Sequence, residues 1–239
     1  MVPRELKEQL YRIFKGYTSN SLDMFSPLND QVAMAKWTKI LRTKPLRELQ
    51  DEDLQYYAFK SMTTWGEVDA FKYFLPRILE LISRHEWTGL DVEIVFGKLA
   101  YGHWKTWPQK ERETVNTFCT AFWQNLVETE NPLADSQISA HLRGFLEAGI
   151  DLPPLLDTWL KADSETAVCR LCHFIETQEH DILKRGRFGW SQEHRQEHGA
   201  ALQQWLRSDA MKKHLSDCFF RYADTPSAEI ISRALQIVE

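Results

Sequence analysis

Residues 65–82 read WGEVDAFKYFLPRILELI. Val68, Phe71, Leu75, Leu79 and Ile82 recur there at spacings of three and four, which is one face of a single helix. The pattern runs unbroken through Pro76, which has no N–H for the Lys72 carbonyl and whose ring crowds that carbonyl. An isolated helix would lose roughly 3 kcal/mol at such a position. Burying five large side chains returns about 1.5–3 kcal/mol each. Packing outweighs the proline, and the spacing predicts one continuous helix over 65–84, bent between residues 72 and 76.

The same periodicity recurs along nearly the whole chain. It predicts helices at 3–15, 31–42, 51–63, 90–101, 108–129, 135–148 and 153–161, and, near the end, at 164–184, 191–207, 209–222 and 226–238. A polar loop, GYTSNSLDMFSPLND, separates the first two. One window, DVEIVF at 91–96, is strand-like but has no partner segment. Pro108, Pro153 and Pro226 stand where first helical residues are expected, with Thr225 as a cap for the last helix. Thr64-Trp65-Gly66-Glu67 fits a capping box with Thr64 as the cap; Gly66 could instead end the preceding helix. The expected fold is all-α, an irregular, HEAT-like α-solenoid stack of about eleven helices. No internal repeat and no linker rich in Pro, Gly or Ser divides it, so residues 1–239 are expected to form a single helical domain.

The chain of 239 residues is 43% hydrophobic and 26% charged, ordinary globular values. Its net charge of −5 is uneven. Residues 1–120 carry 17 Lys/Arg and 16 Asp/Glu, and residues 121–239 carry 12 and 18, so the second half is net −6. That suits a basic protein partner drawn in by steering, and does not suit a nucleic-acid backbone. No apolar run approaches the ~18 residues of a membrane span, and the charged N-terminus lacks a signal-peptide core. Four cysteines in such a chain imply reduced thiols and a cytoplasmic location.

Two stretches, W-G-x-V-D-x-F-x-x-F-L-P-R at 65–77 and G-K-L-x-Y-x-x-W-x-x-W-P at 97–108, resemble a group of uncharacterised bacterial proteins. The resemblance covers roughly residues 45–125. It implies a bacterial, soluble, helical protein and carries no activity and no functional residue.

Several motifs offer chemistry. Cys169-Arg170-Leu171-Cys172-His173 spells the c-type haem attachment pattern, C-x-x-C-H. It lies within helical spacing, where Cys172 shares an apolar face with Val168, Leu171 and Ile175, and no export signal accompanies it. Cys169, His173, Glu176 and His180 fall at i, i+4, i+7 and i+11, a stripe of zinc-type donors. Along a straight helix that stripe is some 16 Å long, so at most two members could share an ion. His194-x-x-Glu197-His198 matches the inverted zinc-peptidase string, with no distant carboxylate ligand evident. KRGRFGW at 184–190 sets three basic residues among aromatic rings, a pattern that binds single strands in other settings; a solvated turn is the reading adopted. Trp104 and Trp107 lie in a connection before a long helix. With Trp190 they are the candidate partner-binding residues, provided they are exposed. No Walker loop, G-x-G-x-x-G, G-x-S-x-G or H-E-x-x-H occurs.

These readings lead to a protein-binding helical scaffold with no catalytic residues, no metal and no cofactor. A specific form would be a cytoplasmic inhibitor or immunity protein masking a toxic partner with a basic patch. The alternative is an enzyme of unfamiliar type using the His-rich helices at 169–198. A broad acidic groove would favour the first, and a cleft where His and charged residues converge would favour the second.

Overall fold

The computed structural model describes residues 2–130, 132–190, 192 and 194–239, without the side chains of 132–136. The fold is all-α: 73% of the chain is helical, and the described residues contain twelve α-helices and no strand. The chain divides into two compact units, Met1–Phe122 and Trp123–Glu239. The division falls inside a helix, so there is no linker composition to mark it.

The first unit holds α1 (Arg4–Phe14), α2 (Gln31–Thr43), α3 (Asp51–Lys60), α4 (Val68–Ser83), α5 (Val92–Tyr101) and most of α6 (Gln109–Glu128). The strand-like window at 91–96 forms the first turns of α5. α4 is continuous through Pro76, as its spacing predicts, and begins at Val68 rather than at residue 65. It is also more deeply set than one stripe implies. Ala70, Phe74, Ile78 and Leu81 form a second buried row beside Phe71, Leu75, Leu79 and Ile82. α1 packs on it from one side and α3 from another, and α3 packs in turn on α2 and α5. Close packing on two faces holds the proline-containing turn in place.

The expected capping box at Thr64 is absent. The N-cap of α4 is Glu67, and it makes no side-chain cap bond. The Thr64 carbonyl instead accepts from Ser26 N at 2.9 Å and Asn29 Nδ2 at 3.0 Å. Gly66 does not end α3, which stops at Lys60; Gly66 adopts φ +67° and donates to the Met24 carbonyl at 2.7 Å. Trp65, buried, donates its indole N–H to Leu22 O at 2.8 Å. The short segment between α3 and α4 therefore spends its polar groups on tying down the long polar loop, which satisfies both backbones.

The second unit holds the end of α6, then α7 (Pro132–Glu147), α8 (Leu152–Lys161), α9 (Glu165–Gln178), α10 (Arg195–Leu206), α11 (Asp209–Arg221) and α12 (Ser227–Val238). Its core is aromatic. Trp159 meets Trp123 edge-on at 5.2 Å, Phe174 at 4.9 Å and Trp205 at 6.2 Å. α9 packs on α7 and α12, and α11 on α10 and α12. Ser164 and Ser208 cap α9 and α11 by accepting from Ala167 N and Met211 N. Thr225 is not the cap of the last helix: α12 begins at Ser227 with Pro226 at the N-cap and no side-chain cap bond, although Thr225 Oγ1, one residue further out, accepts from Ser227 N at 3.3 Å. The helix expected at 164–184 changes character at Glu179, where six residues form a π-turn through Lys184. The expected start of the next helix, Ser191, lies outside the described residues, and α10 runs from Arg195.

Candidate functional site

The stretches at 65–77 and 97–108 meet inside the first unit, around a buried lysine. Lys72 Nζ lies 2.8 Å from Glu111 Oε2 and 3.0 Å from the Tyr17 hydroxyl. Tyr17 donates its own proton to Glu111 Oε1 at 2.6 Å. The ammonium also sits 4.3 Å from the Trp107 ring centroid and 4.6 Å from that of Tyr17. Burial opposes the charge on Lys72, and the bonds to Glu111 and Tyr17 more than offset it, so its pKa is raised. One turn on, Arg77 donates to Leu49 O at 2.6 Å and to Glu80 Oε2 at 3.0 Å, which also accepts from Tyr11 at 2.6 Å. In both networks a buried or half-buried carboxylate is held by a cation and a tyrosine hydroxyl. They tie α4 to the chain around it through Tyr17, Glu111, Tyr11 and Leu49.

Lys98 differs from both. Its amine is buried against Ser61 O at 2.9 Å and Thr63 Oγ1 at 3.4 Å, and burial lowers its pKa from 10.5 to about 8. Below pH 8 both the folded and unfolded forms bind the proton, and the folded state bears the whole desolvation cost. Between pH 8 and 10.5 the unfolded chain holds more protons, so stability rises with pH. Lys98→Met should therefore gain stability over the parent most at pH 7, and the gain should shrink by on the order of 2–3 kcal/mol by pH 10. Parallel urea titrations at the two pH values measure it; a constant difference would show that Lys98 is not desolvated.

In the second unit the candidate metal ligands are dispersed. Cys169 Sγ is 3.1 Å from Ser227 Oγ, Glu176 is held by Arg233 at 2.7 Å, and His180 lies on the π-turn facing Asp181 at 3.7 Å. The π-turn takes His180 off the α-helical register on which the i, i+11 spacing depended. His173 and Cys169 edge a cavity of about 570 Å³ with Glu165 and Arg170, while Cys172 is buried in the core. His194 and His198 have ring centroids 5.9 Å apart, and Glu197 lies 3.9 Å from His194. Among the described residues no three His, Cys, Asp or Glu side chains are placed to hold an ion.

Of the three tryptophans proposed as partner anchors, Trp104 and Trp107 are buried, at 2% and 6% exposure. Trp107 donates its indole N–H to Gly102 O at 2.8 Å and forms part of the Lys72 surroundings. Neither can reach a partner, and only Trp190, 55% exposed, meets the condition.

A cleft of about 910 Å³ opens in the second unit. Its walls are the end of α7, the turn and first residues of α8, and one face of α10. Leu152, Pro153, Pro154, Leu156, Ala201 and Trp205 supply an apolar floor. Asp151, Asp157 and Glu197 supply three carboxylates, and no Lys or Arg lines it. Lys161 reaches Asp157 only at 3.9 Å, with both side chains largely exposed. His198 enters from α10 with Nδ1 buried and without a hydrogen-bond partner, and burial pushes its pKa down. The cleft is thus apolar, negative and open. Sequence reasoning registered Pro153 as a helix start and the acidic balance of this half. It did not connect Asp151 and Asp157 with Glu197, some forty residues on.

Comparison of the chain with protein-family models, curated proteins and solved structures gives no match.

Proposed function

We propose that the chain is a cytoplasmic protein-binding helical scaffold whose cleft at α7, α8 and α10 receives a basic, apolar-anchored segment of a protein partner. An inhibitor or immunity protein that masks a toxic partner is the specific form of this reading. The observation that carries it is the cleft itself: three carboxylates around an apolar floor with no lining cation. Negative potential concentrated in a low-dielectric cleft accelerates encounter with a positive partner. The apolar floor, with Trp205 as its large ring, supplies the buried contact from which affinity comes. The His-bearing alternative draws its residues from separate surfaces, with His173 at one cavity, His198 at the cleft and His180 exposed on the π-turn.

The test begins with a partner identified by capture and purified. Its association rate with the parent protein should fall steeply between low and physiological salt. The triple variant Asp151→Asn, Asp157→Asn, Glu197→Gln should associate at least tenfold more slowly, and Ala201→Arg, which fills the cleft, should raise Kd by a comparable factor. An acidic partner, or one indifferent to salt and to all four substitutions, would remove the reading.

A further inference from the structure

The environment of Trp190 has the opposite charge to the cleft. A cavity of about 330 Å³ is lined by Arg143 from α7, Arg185 and Arg187 from the segment after the π-turn, and Arg195 at the start of α10. Asp181 is the one carboxylate in the lining, and Phe188 and Trp190 supply rings. Four arginines therefore line one cavity on a unit whose net charge is negative.

The backbone that presents them is tightly held. Arg187 N donates to Asp181 O and Phe188 N to Arg195 O, both at 2.8 Å. Trp190 N donates to Glu147 Oε1 at 2.9 Å. Gly186 and Gly189 take φ of +60° and +120°, and a Cβ on Gly199 would stand 2.3 Å from the Gly186 carbonyl. The segment thus lies directly on α10, and only glycine at 199 permits it. Phe188 is buried, with the Arg143 guanidinium 5.6 Å above its ring, whereas Trp190 stays exposed. The rim is pre-formed on a fixed backbone, which lowers the ordering cost of binding.

We propose that this cavity binds a small phosphate-bearing ligand with a flat ring, of the mononucleotide class. Guanidinium forks match phosphate oxygens two at a time. The exposed face of Trp190 offers a stacking surface for the ring. The volume lies at the lower end of the range for small-molecule pockets, which fits one nucleotide and not a longer chain. The site is separate from the acidic cleft, and the inference stands whether or not a protein partner occupies that cleft.

The test is calorimetric titration of the full chain with adenosine monophosphate, adenosine, inorganic phosphate and a single-stranded thymidine oligonucleotide. Adenosine monophosphate is expected to bind saturably and more weakly as salt rises, inorganic phosphate more weakly still, and adenosine not at all. Arg185→Gln combined with Arg187→Gln should weaken the nucleotide at least tenfold; both side chains are exposed, so the fold should be retained. Trp190→Ala should weaken adenosine monophosphate but leave phosphate unchanged. No saturable binding of the mononucleotide at millimolar concentration would overturn the proposal, as would undiminished binding by the double arginine variant. Tight binding of the oligonucleotide without the mononucleotide would overturn it in favour of a nucleic-acid surface.

Discussion

Glu111→Leu is expected to destabilise the Met1–Phe122 unit by about 3–5 kcal/mol, the cost of leaving one buried charge without its partner. The side chains of Lys72 and Glu111 are 7% and 8% exposed, so water does little to screen their interaction. With the carboxylate gone, the ammonium keeps the Tyr17 hydroxyl and two ring faces, none of which carries a compensating negative charge. Tyr17 loses the acceptor of its own proton as well. The double variant Lys72→Met, Glu111→Leu should recover much of the loss, because apolar groups of similar volume remove both desolvation penalties together. Urea unfolding of the parent, the two single variants and the double variant yields the coupling. A Glu111→Leu loss below about 1 kcal/mol would show that the pair is hydrated and contributes as a surface pair does.

Arg170→Leu should cost a similar amount in the second unit, about 3–5 kcal/mol. Arg170 is 1% exposed, and its guanidinium donates to the carbonyls of Leu126 and Val127 in the last turn of α6. Carbonyls at a helix C-terminus have no partner within the helix. Leaving a buried one unsatisfied costs about 1–3 kcal/mol, and here there are two. Arg170→Lys should restore only part of the loss, because a single ammonium does not reproduce the planar fork. Urea unfolding gives the magnitude, and amide exchange should show the end of α6 opening sooner. An Arg170→Leu protein as stable as its parent would mean that other donors cap these carbonyls.

The helices were legible wherever one apolar stripe met solvent on its far side, as the match of 31–42 to α2 and 226–238 to α12 illustrates. α4 was legible as a helix but not as a central one. Lys72 edges its first apolar row and Arg77 interrupts the second, and a charged residue in a sequence reads as exposed until its partner is known. The partners stand far away in the chain: Glu111 on α6 for Lys72, and the Leu49 carbonyl before α3 for Arg77. Thr64 had the residue types of a cap but not the role, because the loop from Ser21 to Asn29 claims the backbone groups around it. The same reasoning explains Trp104 and Trp107. A tryptophan between helices can face either way, and only the tertiary setting shows that Trp107 closes over Lys72. The acidic excess of the second half was legible as a sum. Its concentration in a cleft, and its reversal around Trp190, depend on which helices lie side by side.

The cysteines give the chain a built-in chronometer. Cys119, Cys172 and Cys218 are enclosed, and burial pushes each thiol up, Cys119 to about 12, while Cys169 is partly open beside Ser227. The thiolate is the nucleophile that attacks a thiol-specific reagent, so both enclosure and a raised pKa slow the reaction. Each hidden sulfur reacts only as often as the helices around it separate. Cys119 belongs to one compact unit and the other two to its neighbour in sequence. The order in which the sulfurs are modified therefore records which half of the molecule breathes first, read out by peptide mass mapping of the modified chain with no substitution introduced.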